Sequence, residues 1–183
     1  MPGKLHPPPG QVNPAWPADG RQLCAETGGQ SFPLIVGDGT SGAVVAWLDG
    51  RSTDPAYDIY AQKVLANGTI DPGWPSAGVA VCNELNDQRL AGMVPWHDGG
   101  ALVTWYDYRS TTDYDVYVHR ILPTGVMDPA WPAGGLAIGT AANSQDHPAI
   151  AQTGFRHAVV VWGDGRNGSG QSDIYAQLVM EDG

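Results

Sequence analysis

Trp47, Asp49 and Arg51 occupy alternate positions in the stretch AVVAWLDGRSTDPAYDIYAQ (43–62), which goes on to Asp58 and Tyr60. The same set returns as Trp105, Asp107, Arg109, Asp115 and Tyr117, and again as Trp162, Asp164, Arg166, Asp173 and Tyr175. Guanidinium, carboxylate, phenol and indole groups in one cluster are the groups that grip acidic or hydroxyl-rich ligands or hydrolyse glycosides. Their recurrence at intervals of 58 and 57 residues points elsewhere, because a residue present in every unit of a repeat serves the unit's fold first. The expectation is that Arg51, Arg109 and Arg166 pair with Asp58, Asp115 and Asp173 across a hairpin, in a charge-assisted contact. A ligand-binding role for the three arginines is the alternative.

Gln30, Gln88 and Gln145 recur in the same register and are the repeated polar residues that packing explains least. An amide at the start of a strand either closes a local hydrogen bond or faces a ligand, and amides suit neutral polyols. Trp96 has no counterpart in the other copies and is the freest tryptophan to serve a site. The ligand-binding candidates are therefore Gln30, Gln88, Gln145, Arg51, Arg109, Arg166 and Trp96.

Other chemistries find less support. Asp54 and Asp113 place extra carboxylates in the loops, which raises calcium, but no EF-hand spacing is present, and no metal or cofactor is assigned. Gly37, Gly39 and Gly42 spell G-x-G-x-x-G, yet a strand follows where a nucleotide site needs a helix, so the segment reads as a hairpin turn. The five histidines share no ligand spacing. Cys24 and Cys82 fall at one position of successive units, with Ile138 read as the third occupant, and a slot shared by Cys and Ile is a buried site for a free thiol.

The elements that carry these residues are short strands. Each copy reads as four: Phe32 to Val36, Ala43 to Leu48, Asp58 to Leu65 and Gly78 to Cys82 in the first, with Leu90 to Val94 and Pro148 to Ala151 opening the others. The second strand is almost wholly apolar, as when both faces of a sheet are covered. Trp16, Trp74 and Trp131, each followed by Pro, mark a turn before the fourth strand. Twenty-five Gly and 15 Pro punctuate the chain throughout. Repeats fall at about 13–70, 71–127 and 128–183, after a Pro-rich tail at 1–12.

Four-stranded units in series predict an all-β β-propeller with three blades per chain. Residues 20–25 match a fourth strand but precede the first full unit, while the last unit stops after its third strand. Three blades cannot close comfortably, so the expectation is a head-to-tail homodimer forming a six-bladed ring, with a fragment of a longer chain or an open array as the alternative.

The run W-x-D-x-R, then D-I-Y, a Gly turn and a Trp, resembles the BNR or Asp-box repeats of sialidase-like propellers from about Asn13 onward. The layout matches, and Gly68 and Gly125 keep the turn glycine. The box itself is degenerate: Val64 and Ile121 stand for its Ser, and Ala66 and Pro123 for its Asp. The resemblance implies the fold. Sialidase chemistry needs three arginines around one carboxylate, a Tyr nucleophile and an acid from different loops, whereas these arginines are repeat-equivalent.

A formal charge of −10 with nine Lys and Arg argues against nucleic acid or an anionic membrane as partner. No signal peptide is legible, and the setting expected is secreted or extracellular. Of Glu26, Glu84 and Glu181, the first two are repeat-equivalent, so no glycosidase pair stands out. The sequence thus points to a non-catalytic, lectin-like module binding glycans through repeated sites. A protein-interaction scaffold is the alternative, and a glycosidase-like enzyme a third reading.

Overall fold

The computed structural model describes residues 10–52, 56–168 and 170–181. Among them are eleven strands and no helix: β1 (Gln30–Gly37), β2 (Ala43–Asp49), β3 (Asp58–Val64), β4 (Val79–Cys82), β5 (Gln88–Pro95), β6 (Ala101–Asp107), β7 (Asp115–Ile121), β8 (Leu136–Gly139), β9 (Gln145–Gly154), β10 (His157–Asp164) and β11 (Asp173–Met180). They form three antiparallel sheets ordered β1-β2-β3-β4, β5-β6-β7-β8 and β9-β10-β11. The strands predicted within the three copies are present, with ends shifted by up to three residues, whereas residues 20–25, expected as a fourth strand, form none.

Equivalent residues hold equivalent register. Trp47 faces Tyr60 across β2 and β3, Trp105 faces Tyr117 across β6 and β7, and Trp162 faces Tyr175 across β10 and β11. The first strand of each sheet carries a register shift against the second. Phe32 and His147 sit in these irregular segments with φ of 51° and 50°, a conformation that bulky residues seldom adopt. The Gly37–Gly42 segment joins β1 to β2 as a hairpin, closed by the Asp38 carboxylate, which accepts the backbone N–H groups of Thr40 and Gly42.

The middle strands explain the apolar runs. β2 and β6 are buried almost throughout, since each lies in a sheet covered by a neighbour. Val44, Ala46 and Leu48 of β2, with Ile59 and Ala61 of β3, meet Ala101, Val103 and Trp105 of β6 in one core. Alternation then turns Leu102 of β6 to the opposite face, where it joins Val116 and Val118 in a second core with Ala158, Val160 and Trp162 of the third sheet. Each Val, Leu or Ile among them contributes about 1.5–3 kcal/mol by leaving water. The first strands also pack in series, β1 on β5 and β5 on β9.

Two kinds of staple hold one sheet to the next. At one end the backbone N–H of Gln88 donates to Tyr57 O at 3.0 Å, and that of Gln145 to Tyr114 O at 2.7 Å. At the other, the Trp-Pro tryptophans reach across: Trp16 Nε1 donates to Ala66 O, Trp74 Nε1 to Pro123 O and Trp131 Nε1 to Glu181 O, at 3.0, 3.0 and 3.1 Å. Each indole also lies on a turn glycine where one is described. A Cβ on Gly68 would stand 2.8 Å from Trp16, and one on Gly125 2.7 Å from Trp74, and both glycines have positive φ. The turn glycine therefore serves two needs, a left-handed backbone and room for the ring.

Gly125→Ala should accordingly lower stability by about 2 kcal/mol, from left-handed strain plus the displaced indole. The urea midpoint measures it, and an unchanged midpoint would show that the ring does not rest on this turn.

Candidate functional site

Asp49, Asp107 and Asp164 close their strands with fully buried carboxylates. Each accepts the indole N–H of the tryptophan two residues earlier, at 2.7, 3.0 and 2.9 Å. Each also accepts the backbone N–H and the guanidinium of the arginine two residues later, with Nη2–Oδ2 distances of 2.6, 2.5 and 2.6 Å. The guanidinium carbon then lies 3.7, 4.0 and 3.8 Å from the ring centre of Tyr60, Tyr117 and Tyr175. Arg51 and Arg109 spend a further donor on the carbonyls of Ala77 and Gly134.

This corrects the expected pairing. The arginines bind Asp49, Asp107 and Asp164, two residues earlier at the end of the strand they follow, instead of Asp58, Asp115 and Asp173 across the hairpin. The cause is the two-residue period, which sends Trp, Asp and Arg to one side of the chain. Asp173 instead accepts from Asn167 Nδ2 at 2.6 Å. Burial, with Asp113 and Asp107 nearby, pushes the Asp115 carboxyl above its ordinary value. None of the three arginines converges with another on a shared ligand position.

The glutamines are likewise engaged. Gln88 Nε2 donates to Glu84 O and Asn86 O at 3.0 and 2.8 Å, Gln145 Nε2 to Asn143 O at 2.8 Å, and Gln30 Nε2 to Gly28 O at 3.2 Å. Gly28, Asn86 and Asn143 are equivalent and share positive φ, so the amide braces a left-handed turn leading into the first strand. Gln88 and Gln145 are fully buried, whereas Gln30 is exposed. Trp96 is buried in the core between the second and third sheets, with its ring beside His97.

Cys24 and Cys82 are free thiols. Burial pushes the Cys82 thiol up to about 12. The strand register revises its equivalence: Val116 faces Gly139 as Ile59 faces Cys82, so Gly139 holds the third cysteine slot and Ile138 the place of Val81. Small size is the need there, since a Cβ on Gly139 would lie 3.1 Å from the Trp162 indole. Among the described residues no three His, Cys, Asp or Glu side chains gather as a metal site, and Asp54 lies outside those residues.

What the structure does gather is a set of residues on which the copies differ. Tyr106, next to last in β6, lies on the face turned to the third sheet, and Leu48 and Gly163 hold its place elsewhere. Tyr108 replaces Gly50 and Gly165. Tyr106 and Tyr114 meet edge-on at 5.1 Å between ring centres, Tyr108 and Tyr114 lie 5.0 Å apart, and His147 of β9 stacks on Tyr106 at 5.3 Å. Arg89 faces Tyr106 across β5 and β6 and bonds Asp87 at 2.5 Å, and the Tyr114 hydroxyl donates to Asp87 at 3.4 Å. All three tyrosines are half-buried. Burial holds the Tyr106 hydroxyl protonated by raising it further above its ordinary value.

Beside this platform lies an open polar cavity of about 440 Å³, lined by Asn143, Ser144, Asp146, Gln171, Ser172 and loop glycines. The two share a wall: Ser144 Oγ is 3.4 Å from Tyr114 N, and Asp146 holds His147 at 3.0 Å. The sheet-joining bond from Gln145 N to Tyr114 O fixes the platform against the cavity. The signal was present in the sequence as Tyr where other copies have Gly or Leu, but the partners come from three separate stretches. Comparison with known proteins returned no matching family model, no matching curated protein and no matching solved structure.

Two outcomes follow from the buried carboxylates. Asp107→Ala strands the Trp105 N–H and the Arg109 charge, and should cost about 3 kcal/mol in a denaturant titration, whereas half-buried Asp113→Ala, which loses only hydroxyl bonds from Ser110 and Thr112, should cost under about 1 kcal/mol. In pH, burial pushes Asp38, Asp49 and Asp98 upward, but bonds from backbone N–H groups and from Arg51 or Arg120 outweigh it and hold all three below the ordinary 3.8. The Arg166 bond holds Asp164 far lower still. Their stabilisation is complete above pH 3.8 and is lost as pH falls through the lowered values. Thermal midpoints should therefore drop on acidification below about pH 4, and a midpoint unchanged down to pH 2 would exclude these pairs as a source of stability.

Proposed function

We propose that the protein is a non-catalytic, lectin-like module whose three sheets are consecutive blades of a β-propeller, and that it binds neutral sugars at the tyrosine platform. The serial packing of β1, β5 and β9, each the first strand of its sheet, supports the blade reading.

The observation that carries the function is the juxtaposition of Tyr106, Tyr108 and Tyr114 with Arg89, Asp87 and the Asn143–Asp146 wall. Half-exposed rings offer flat apolar faces to the C–H side of a sugar, and the neighbouring charged and amide groups meet its hydroxyls. The adjoining cavity is within the usual size range of small-ligand sites. The repeated Trp, Asp, Arg and Gln residues are spent internally, so the site belongs to the boundary between the second and third sheets instead of recurring in each unit.

A non-catalytic reading fits the carboxylates around it. Asp87 is held by Arg89, Asp146 by His147, and Glu181 lies in an ion cluster with Arg120, Arg156 and His97.

Glycan-array screening followed by calorimetry with the neutral sugars it selects tests the reading. Tyr106→Ala and Tyr114→Ala should each weaken binding roughly tenfold, equivalent to about 1.4 kcal/mol, without changing the far-ultraviolet spectrum. Absence of sugar binding at millimolar concentration, or binding that ignores both substitutions, would overturn it.

A further inference from the structure

The outer face of the third sheet is a surface that the first two sheets bury. Ile59 on β3 and Val116 on β7 are 0% exposed, while their equivalent on β11, Ile174, is 78% exposed. Ala176, Leu178 and Met180 continue that open face. β11 bonds β10 along one edge, and among the described strands its other edge has no neighbour. An apolar face beside an unpaired strand edge is a template for another strand.

The opposite feature lies at the first sheet. Residues 21–25 rest on it without belonging to any strand. Cys24 Sγ stands 3.8 Å from Asp49 and receives Arg51 Nη2 at 3.3 Å, as Cys82 Sγ stands 3.5 Å from Asp107 and receives Arg109 Nη2 at 3.3 Å. Trp16 docks on the turn after β3 as Trp74 docks on the turn after β7. The segment 16–25 thus stands toward the first sheet as 74–83, which includes β4, stands toward the second. It has the position of a fourth strand whose own sheet lies elsewhere.

We propose that a second copy of this chain supplies that sheet: Arg21–Cys24 of one copy pairs with the outer edge of β11 of the other, and the first sheet covers the face of Ile174, Ala176, Leu178 and Met180. The proposal rests on the blade reading above. Its register is set by the two pairings inside the chain. Ile59 with Cys82 and Val116 with Gly139 place Ile174 opposite Cys24 of the second copy, and Tyr60 with Ala80 places Tyr175 opposite Gln22. The contact is head to tail, so it closes only if its rotation closes. In a ring made of copies of this chain alone, two copies supply six blades, within the roughly 4–8 of closed propellers, and make two identical junctions.

Light scattering on the full 183-residue chain should give twice the 19.3 kDa chain mass at micromolar concentration. Directly opposed strand residues are close enough to bridge, so Ile174→Cys should form an oxidised inter-chain link with the native Cys24, and the link should vanish when Cys24→Ala is added. Ala176→Arg, which puts a charge on the covered face, should shift the mass toward the single chain. A folded wild-type chain at 19.3 kDa, a ladder of open polymers, or Ile174→Cys that stays unlinked under oxidation would each overturn the proposal. These readouts need no sugar, so the pairing and the sugar site fail or stand separately.

Discussion

The rest of the fold depends on a carboxylate with no access to water. Asp49, Asp107 and Asp164 are buried at the end of the central strand of each sheet, where an uncompensated charge would be costly. The indole N–H before it and the guanidinium after it supply the compensation, and both arrive because alternate residues share a side. Satisfying that charge fixes the tryptophan that fills the inter-sheet core, the arginine that covers the tyrosine, and the sharp exit of the chain from the sheet. One electrostatic requirement thus positions four side chains and a loop in each unit.

The joints between sheets have a different character. At one end a backbone amide of the incoming strand donates to the preceding sheet, while the glutamine side chain braces the turn that presents it. At the other, an indole lies on a glycine. Both joints are short-range and directional, so they fix the orientation of one sheet on the next, while the apolar faces between them contribute most of the stabilisation. Tyr114 belongs to both worlds: its carbonyl accepts the joint from Gln145, and its ring forms part of the aromatic platform.

Much of this was legible in the sequence and some was not. The repeat exposed the strands, the apolar middle strand and the role of Trp, Asp and Arg as framework, because spacing and residue type are one-dimensional information. The partner of Arg51 was misassigned because two carboxylates lie within reach along the chain, and the choice between Asp49 and Asp58 depends on which side of the strand each faces. Gln88 and Gln145 read as ligand candidates since a buried amide spent on nearby backbone carbonyls has no signature beyond its recurrence. Trp96 is unrepeated yet buried, so novelty alone did not mark a site. The tyrosine platform stayed hidden because Arg89 meets Tyr106 only through strand register within the second sheet, and His147 reaches Tyr106 only when the third sheet stacks on the second.

The indole staples also set an order for folding. Trp16, Trp74 and Trp131 find their acceptors 50, 49 and 50 residues further along the chain, so each junction closes a loop of nearly the same length. Equal loops carry nearly equal entropic penalties, and no junction requires residues from distant parts of the sequence. A nascent chain can therefore add one sheet at a time as it is synthesised, each tryptophan waiting for the turn of the next unit and capturing it on emergence. Stepwise growth from one end suits an interior divided into two cores, one at each boundary between sheets.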